Sequence, residues 1–280
     1  MEPPQTRKLR PALTLLANFL GLGLGYVYVG ELRFAIAAVA GVYLTLGLFA
    51  WTRLIVYSAI ILWIFTGIFV AIFGFSVIHS FIYAVRNRNR PLKRYNRWWF
   101  YSAWVVGVAA LSLGGYKARP WLFGYETFRI PTESMSPTLE QGDFFITNAW
   151  KYRNSIPAIG DIVVYERPDK PGIAYVKRVV ALPGDRIEGH NSIVLRNGSR
   201  VSESYLHAPR DYAPYGRDFP PTTLDSKSVF LLGDFRDNSL DSRSTGPIPI
   251  DHIRGRAGYI WASFANGHFR WERMGKSLTP

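Results

Sequence analysis

The feature that most limits what this chain can fold into is a long run without formal charge. Residues 54–85 contain no Asp, Glu, Lys or Arg, whereas roughly 20 apolar residues already span a bilayer core. Residues 34–51 and 98–116 are also uncharged and near spanning length. These three runs predict transmembrane helices. A further apolar segment, 12–30, has its glycines clustered between residues 21 and 30, and each glycine weakens a helix by about 1 kcal/mol relative to alanine. It predicts either a fourth span or an interfacial or re-entrant piece.

Charge distribution sets the orientation. The formal net charge is +13, but residues 1–120 hold 13 Lys/Arg against Glu2 and Glu31, a net of +11, while residues 121–280 hold 20 against 18, a net of +2. The excess therefore flanks the hydrophobic runs, as cations around membrane spans do. A duplex-binding domain would carry its basic stripe on a soluble face, so no nucleic-acid partner is expected. The loop RNRNRPLKRYNR, residues 86–97, has six Lys/Arg and no acid and belongs on the cytoplasmic side. So does the start, RKLR. Both lie inside only if an even number of spans separates them. Spans at 34–51 and 54–85 supply two, with the turn around Thr52 and Arg53 outside and 12–30 non-spanning. The span at 98–116 then carries everything after about residue 118 out of the cytoplasm. The N-terminus has the basic start of a signal peptide. No small-residue cleavage site closes a short apolar core, however, so it is expected to be retained. The organisation that follows is a membrane anchor over 1–118 and an extracytoplasmic domain over 119–280.

From residue 128 the texture changes to short β-branched or alternating runs: FFITNAW, DIVVYER, AYVKRVVAL, SIVLRNG, SVFLLGD and AGYIWASF. Turn signals such as Pro183-Gly184-Asp185 and Asn197-Gly198 separate them. No amphipathic period of helical length stands out. The expected fold class is N-terminal transmembrane α-helices followed by a mainly antiparallel β domain of about 150 residues. The Pro- and Tyr-rich region 202–228 reads as an irregular insertion.

The chemistry open to such a domain is narrow. The chain has no cysteine, which excludes disulfides, thiolate metal sites and a Cys nucleophile. Its histidines (79, 190, 207, 252 and 268) are scattered without metal-binding spacing, so no metal is expected. No serine sits in a G-x-S-x-G elbow. A Ser-His-Asp triad stays open, since its members need not be adjacent. Lysine can serve as a general base only where a buried apolar site keeps its amine neutral. In AYVKRVVALPGD, strand alternation puts Tyr175, Lys177 and Val179 on one face and turns Arg178 the other way, as a solvent-facing charge would point. The structural alternative is an ordinary lysine blunting a β-edge.

The stretch FRIPTESMSPTLEQGD, 128–143, threads hydroxyls between apolar residues. Its PTESMSPTLEQGD portion, together with YVKRVVALPGD (175–185) and GDFRDNSLDSR (233–243), resembles in order and kind the signature boxes of the type I signal peptidases. GDIVVY (160–165) fits as well, and the resemblance covers about residues 128–262. It implies a signal-peptidase-like β fold, with Ser134 as nucleophile and Lys177 as general base. It further implies Thr132 as an oxyanion donor, Ser239 as the group that orients the lysine amine, and Asp241 with Arg243 as a structural ion pair; Arg236 and Asp237 lie in the same segment. Two positions depart from the family's habit: Glu133 stands where glycine is usual and Phe235 where asparagine is usual. Glu133 is expected to point to solvent, because an inward carboxylate would raise the lysine pKa. Shallow apolar pockets suited to small side chains are expected from Ile130, Met135, Phe144, Tyr175 and Val176, with substrate bound as an added strand. Core packing is the alternative for Met135 and the phenylalanines.

The implied activity is a membrane-bound serine endopeptidase that removes N-terminal signal peptides from exported preproteins. It would be a multi-pass protein of the inner (cytoplasmic) membrane with its catalytic domain on the periplasmic side. Its partners would be preprotein signal peptides and the lipid bilayer, with no cofactor and no obligate protein partner. A self-cleaving repressor-type peptidase shares the Ser-Lys dyad, but the spans and the missing DNA-binding helical domain argue against it. A membrane-tethered β-module that binds envelope components without catalysis would require Ser134 and Lys177 to be coincidental.

Overall fold

The computed structural model describes residues 6–52, 56, 58–91, 93–190, 193–206 and 218–279. Arg53, His207 and much of the region read as an insertion lie outside the described residues. The chain divides into two compact units: Met1–Ile55 with Ile60–Phe123, and Gly124–Pro280 with Val56–Ala59.

The first unit is helical. Helices α3 (Leu32–Trp51), α4 (Ala59–Arg86) and α5 (Trp98–Phe123) have 20, 28 and 26 residues and are long and apolar enough to cross a membrane. At 1.5 Å per residue the shortest reaches about 30 Å, the thickness of the hydrocarbon core. Leu44, Leu48, Ile60 and Val106 on these helices are exposed, as expected of side chains whose solvent is lipid. The segment 12–30 is not one span. It breaks into α1 (Pro11–Leu20) and α2 (Leu24–Val29), and Gly23 explains the break. Its φ is +78°, and a Cβ there would lie 2.9 Å from the Ala35 carbonyl oxygen. This close approach lets α2 bury all six of its residues. Polar anchors hold it there: Asn96 Nδ2 donates to Val27 O (2.8 Å), Tyr95 OH to Gly30 O (2.6 Å) and Trp104 Nε1 to Leu22 O (3.0 Å). Outside the helices, β1 (Thr6–Lys8) pairs antiparallel with β2 (Asn89–Pro91), so the basic start and the basic loop share one short ribbon.

The second unit is built of antiparallel strands. Its larger sheet contains β3 (Tyr125–Arg129), β4 (Asp143–Asn148), β5 (Ile162–Arg167), β6 (Lys170–Ala181), β11 (Ser228–Leu232), β12 (Ile248–Pro249), β13 (Ile253–Ala265) and β14 (His268–Phe269). The strand order is β12-β11-β6-β5-β13-β4-β3, with β14 on β13. A smaller sheet, in the order β10-β7-β8-β9, contains β7 (Arg186–His190), β8 (Ile193–Arg196), β9 (Ser199–Arg200) and β10 (Phe219–Thr223). The part of 202–228 read as irregular that is described here thus includes a strand. β10 joins β7 because Phe219 is buried and stacks on Phe230, with centroids 5.3 Å apart. Apolar clusters occupy both faces of the β5–β6 hairpin. Ile162, Val164 and Val176 pack with Met135, Leu139 and Phe145, while Val163, Tyr165 and Val179 pack with Val229 and Leu231. Lys177 therefore enters on an interior strand, paired with Val163 across the hairpin. It is not an edge lysine.

Candidate active site

The loop between β3 and β4 carries Ser134, and its shape follows from where its apolar residues go. Met135 and Leu139 are 1 % and 0 % exposed and sink into the core beside Ile130. That pins the turn while Thr132 and Glu133 stay exposed and Ser134 half-buried. The threading of hydroxyls between apolar residues is thus an anchoring device. Ile130 and Met135, expected to line substrate pockets, are 4 % and 1 % exposed and pack in the core directly beneath the nucleophile loop. Three of the five residues assigned to substrate pockets are brought together and two are not. Val176 packs with Ile130 and Met135, Tyr175 lies against Tyr165 in another cluster, and Phe144 packs on Trp261. Neighbours along a strand face opposite ways, which is why Tyr175 and Val176 part company.

Lys177 Nζ lies 2.8 Å from Ser134 Oγ and donates to its own strand at Val176 O (2.9 Å). The residue is 4 % exposed. Burial pulls its amine down from the ordinary 10.5 to about 8; the fields of Asp241 and Asp234 oppose that shift, and Arg243 reinforces it. Desolvation wins because the neutral form needs no counter-charge in an apolar site. Thr132 Oγ1 donates to Ser134 Oγ at 3.4 Å.

A second loop holds the nucleophile from behind. Phe235 N–H donates to the Ser134 carbonyl (3.1 Å). Gly233 lies so close that a Cβ would fall 2.1 Å from Ser239 Oγ and 2.5 Å from Ser134 O. Asp241 Oδ2 accepts from Gly233 N–H at 2.9 Å. Arg243 grips the same carboxylate with Nε (2.8 Å) and a terminal nitrogen (2.9 Å), and also reaches the carbonyls of Arg236 (2.7 Å) and Ser239 (3.3 Å). The Asp241–Arg243 pair thereby fixes the turn that backs Ser134. Ser239 sits in this turn, but its buried Oγ has no hydrogen-bond partner among the described residues. The lysine amine bonds Ser134 and Val176.

Arg178 corrects the reading of the strand. It is 7 % exposed and forms a two-point ion pair with Asp234 (2.8 and 2.6 Å). Thr138 Oγ1 donates to the same carboxylate at 2.6 Å, and the guanidinium lies 3.9 Å over the Tyr205 ring. The outer face of β6 is covered rather than solvated. Asp143 also escaped sequence reasoning. It is fully buried, receives Ser263 Oγ (2.7 Å) and Glu140 N–H (2.8 Å), and is gripped by Arg273, whose terminal nitrogen donates at 2.5 Å. Burial would raise its carboxyl, but these bonds hold it below the usual range. A signal for this was available. In three Gly-Asp pairs the aspartate accepts an N–H from three residues back, at Asp143 (from Glu140), Asp161 (from Ala158) and Asp185 (from Leu182). Among the described residues no cluster of His, Asp and Glu could hold a metal ion.

The site can be set beside known proteins. The sequence model of the family "Signal peptidase, peptidase S26" matches residues 99–262, a range that takes in nearly all of α5 and most of the β unit. A probable signal peptidase I-1 of Synechocystis sp. (strain ATCC 27184 / PCC 6803 / Kazusa) is 36% identical over 178 residues, covering 61% of this chain and 83% of that one. Signal peptidase I of Bacillus caldolyticus is 33% identical over 189 residues, 64% of this chain and 97% of the relative. Signal peptidase I of Leptolyngbya laminosa is 37% identical over 142 residues, 48% and 68% of the two chains. With the match spanning more than half of its length, this chain belongs to the signal peptidase family of serine endopeptidases, peptidase S26.

Proposed function

We propose that this protein is a membrane-bound serine endopeptidase that cleaves N-terminal signal peptides from exported preproteins through a Ser134–Lys177 dyad. The observation that carries the reading is the buried Lys177 amine, lowered to about 8, at 2.8 Å from Ser134 Oγ. In its neutral form Lys177 takes the hydroxyl proton as Oγ attacks the scissile carbonyl carbon. The oxyanion that forms is held by the Ser134 N–H and the Thr132 hydroxyl, donors of the kind that supply a few kcal/mol. As the tetrahedral species collapses, the Lys177 ammonium returns the proton to the leaving amine of the mature protein. The signal peptide remains as an ester on Ser134. Water, deprotonated by Lys177, then releases it and restores the hydroxyl. The Asp241–Arg243 pair and Gly233 keep Ser134 in register by shaping the turn whose Phe235 N–H holds its carbonyl.

The ribbon β1–β2 supports the orientation. It joins residues 6–8 to 89–91, with α3 and α4 between them, so both lie on one side if those helices span. Their cations favour the cytoplasm, and α5 would carry the β unit to the periplasmic side of the inner membrane. Two measurements test the proposal. Detergent-solubilised protein should cleave a preprotein, and Ser134→Ala should not. A reporter fused after residue 120 should be active only outside the cytoplasm. Cleavage by Ser134→Ala at the wild-type rate would contradict the chemistry, and a reporter active inside would contradict the topology.

A further inference from the structure

The helical unit contains a cavity of about 420 Å³ that signal-peptide cleavage does not explain. That volume lies within the range of about 300–1,000 Å³ usual for small-molecule sites. Its walls include Tyr26 of α2, Phe34, Ala38 and Gly41 of α3, and Ile72 and Phe75 of α4. Small residues on α3 leave the space open, and the exposed surface inside is mostly apolar. Such an open apolar space gains dispersion contacts and sheds exposed apolar surface when an apolar occupant fills it. Between spanning helices the abundant filler is a lipid chain.

A polar cluster adjoins the Tyr26 and Phe34 end of the cavity. Tyr26 OH pairs with His79 Nδ1 at 3.0 Å, and the Phe34 ring meets His79 edge-on at 5.4 Å. The Arg33 guanidinium lies 4.8 Å from the Phe34 ring, and Arg90 lies 4.8 Å from the ring of Tyr83, one turn beyond His79. Tyr83 donates to Glu31, which also pairs with Arg33 (3.3 Å) and Arg90 (3.7 Å). One carboxylate therefore faces two guanidiniums, and exposed Arg86 and Arg88 add to the excess. The Arg33 side chain is 76% exposed, so it can reach a ligand. Gly41 is eight residues along α3 from Arg33, about 12 Å at 1.5 Å per residue. A chain entering beside Arg33 would run along that length while its head stayed at the cationic end.

We propose that this cavity binds one anionic phospholipid, with an acyl chain between α3 and α4 and the headgroup phosphate at Arg33 and Arg90. Cations beside a span on the cytoplasmic side are suited to such headgroups. A signal peptide is a poor occupant, because its basic leading region would meet like charge.

The test uses the full chain, delipidated in mild detergent and titrated with phosphatidylglycerol or phosphatidylcholine under native mass spectrometry. One phosphatidylglycerol should be retained per chain, at least tenfold more tightly than phosphatidylcholine. Gly41→Leu should weaken retention tenfold or more. A Cβ there meets only Ile72 Cδ1 at 3.8 Å, so the leucine can enter the cavity without touching backbone. Ala71→Leu plugs the same space from α4. Arg33→Gln should erode the preference for the anionic lipid. Equal retention of the two lipids, or wild-type retention by both plugged variants, would overturn the proposal. So would displacement of the lipid by inorganic phosphate alone, which would point to a bare anion site. If neither plugged variant folds, phosphatidylglycerol with a photoreactive acyl chain, applied to the wild type, decides. Labelling within residues 34–41 and 71–76 supports the site, and labelling confined elsewhere refutes it.

Discussion

Gly233→Ala is the smallest change that should disable the site without touching a reacting group. The added methyl would sit 2.5 Å from Ser134 O and 2.1 Å from Ser239 Oγ. Ser239 can swing its hydroxyl aside, but its Cβ also lies 2.5 Å away and the carbonyl belongs to the nucleophile's own backbone. Relaxed carbon–oxygen contacts lie at about 3.3–3.6 Å, so Ser134 must retreat by roughly 0.8 Å or more, or else the 233–239 turn must retreat instead. Either movement strains the Phe235 N–H bond to Ser134 O. A misplacement near 1 Å can cost on the order of 10²-fold in rate, equivalent to about 2.7 kcal/mol of transition-state stabilisation. Overpacking should also cost about 1–3 kcal/mol of stability. The assay is kcat/KM for cleavage of a detergent-solubilised preprotein, alongside circular dichroism and a thermal melt to verify the fold. A second substitution, Ser239→Ala, removes the Oγ clash but leaves those with Ser239 Cβ and Ser134 O, both at 2.5 Å, and should restore activity only in part. If Gly233→Ala keeps kcat/KM within threefold of wild type, the account of how Ser134 is held is wrong.

Thr132→Val should lower kcat by about 10²–10³-fold with little change in KM, as loss of one oxyanion donor does, whereas Thr132→Ser should be tolerated; a valine variant with wild-type kcat reduces Thr132 to a turn residue. Asp143→Ala strands the buried Arg273 guanidinium, and the melt should register a loss near the low end of about 3–5 kcal/mol, since Glu140 remains as a partner at 2.8 Å. The Asp143 carboxyl is held below its unfolded value, so its contribution is present above about pH 3.9 and is lost as pH falls through the folded value. Wild-type Tm should accordingly drop more steeply below pH 4 than that of Asp143→Asn, and parallel curves would contradict the role.

Much of this architecture is legible in the chain because the signals are local. Uncharged runs announce α3, α4 and α5, and β-branched runs announce the central strands. Ser134 and Lys177 stand in segments specific enough to resemble a family. The misreadings share one physical cause: burial is decided by distant chain. Alternation assigns Arg178 to the face opposite Lys177, but only the fold brings Asp234 and Tyr205 to cover that face. Met135 beside a nucleophile reads equally well as pocket or core, and its burial among Val164 and Ile260 comes from strands far along the chain. Asp143 and Arg273 pair across 130 residues, a distance no local pattern spans. Gly23 was legible as a helix-weakening residue, but not the close approach to Ala35 that makes α2 a buried element.

The central claim is that a neutral Lys177 activates Ser134, and the pH dependence of kcat/KM on a preprotein tests it most directly. Only the neutral amine can accept the proton, so activity should rise with pH through an apparent pKa near the amine's value of about 8 and persist at mildly alkaline pH. Lys177→Met should be inactive but folded at every pH, and Lys177→Arg should be inactive too, because guanidinium does not deprotonate in this range. A limb near 6.5, the ordinary histidine value, or appreciable turnover by Lys177→Met would contradict the dyad.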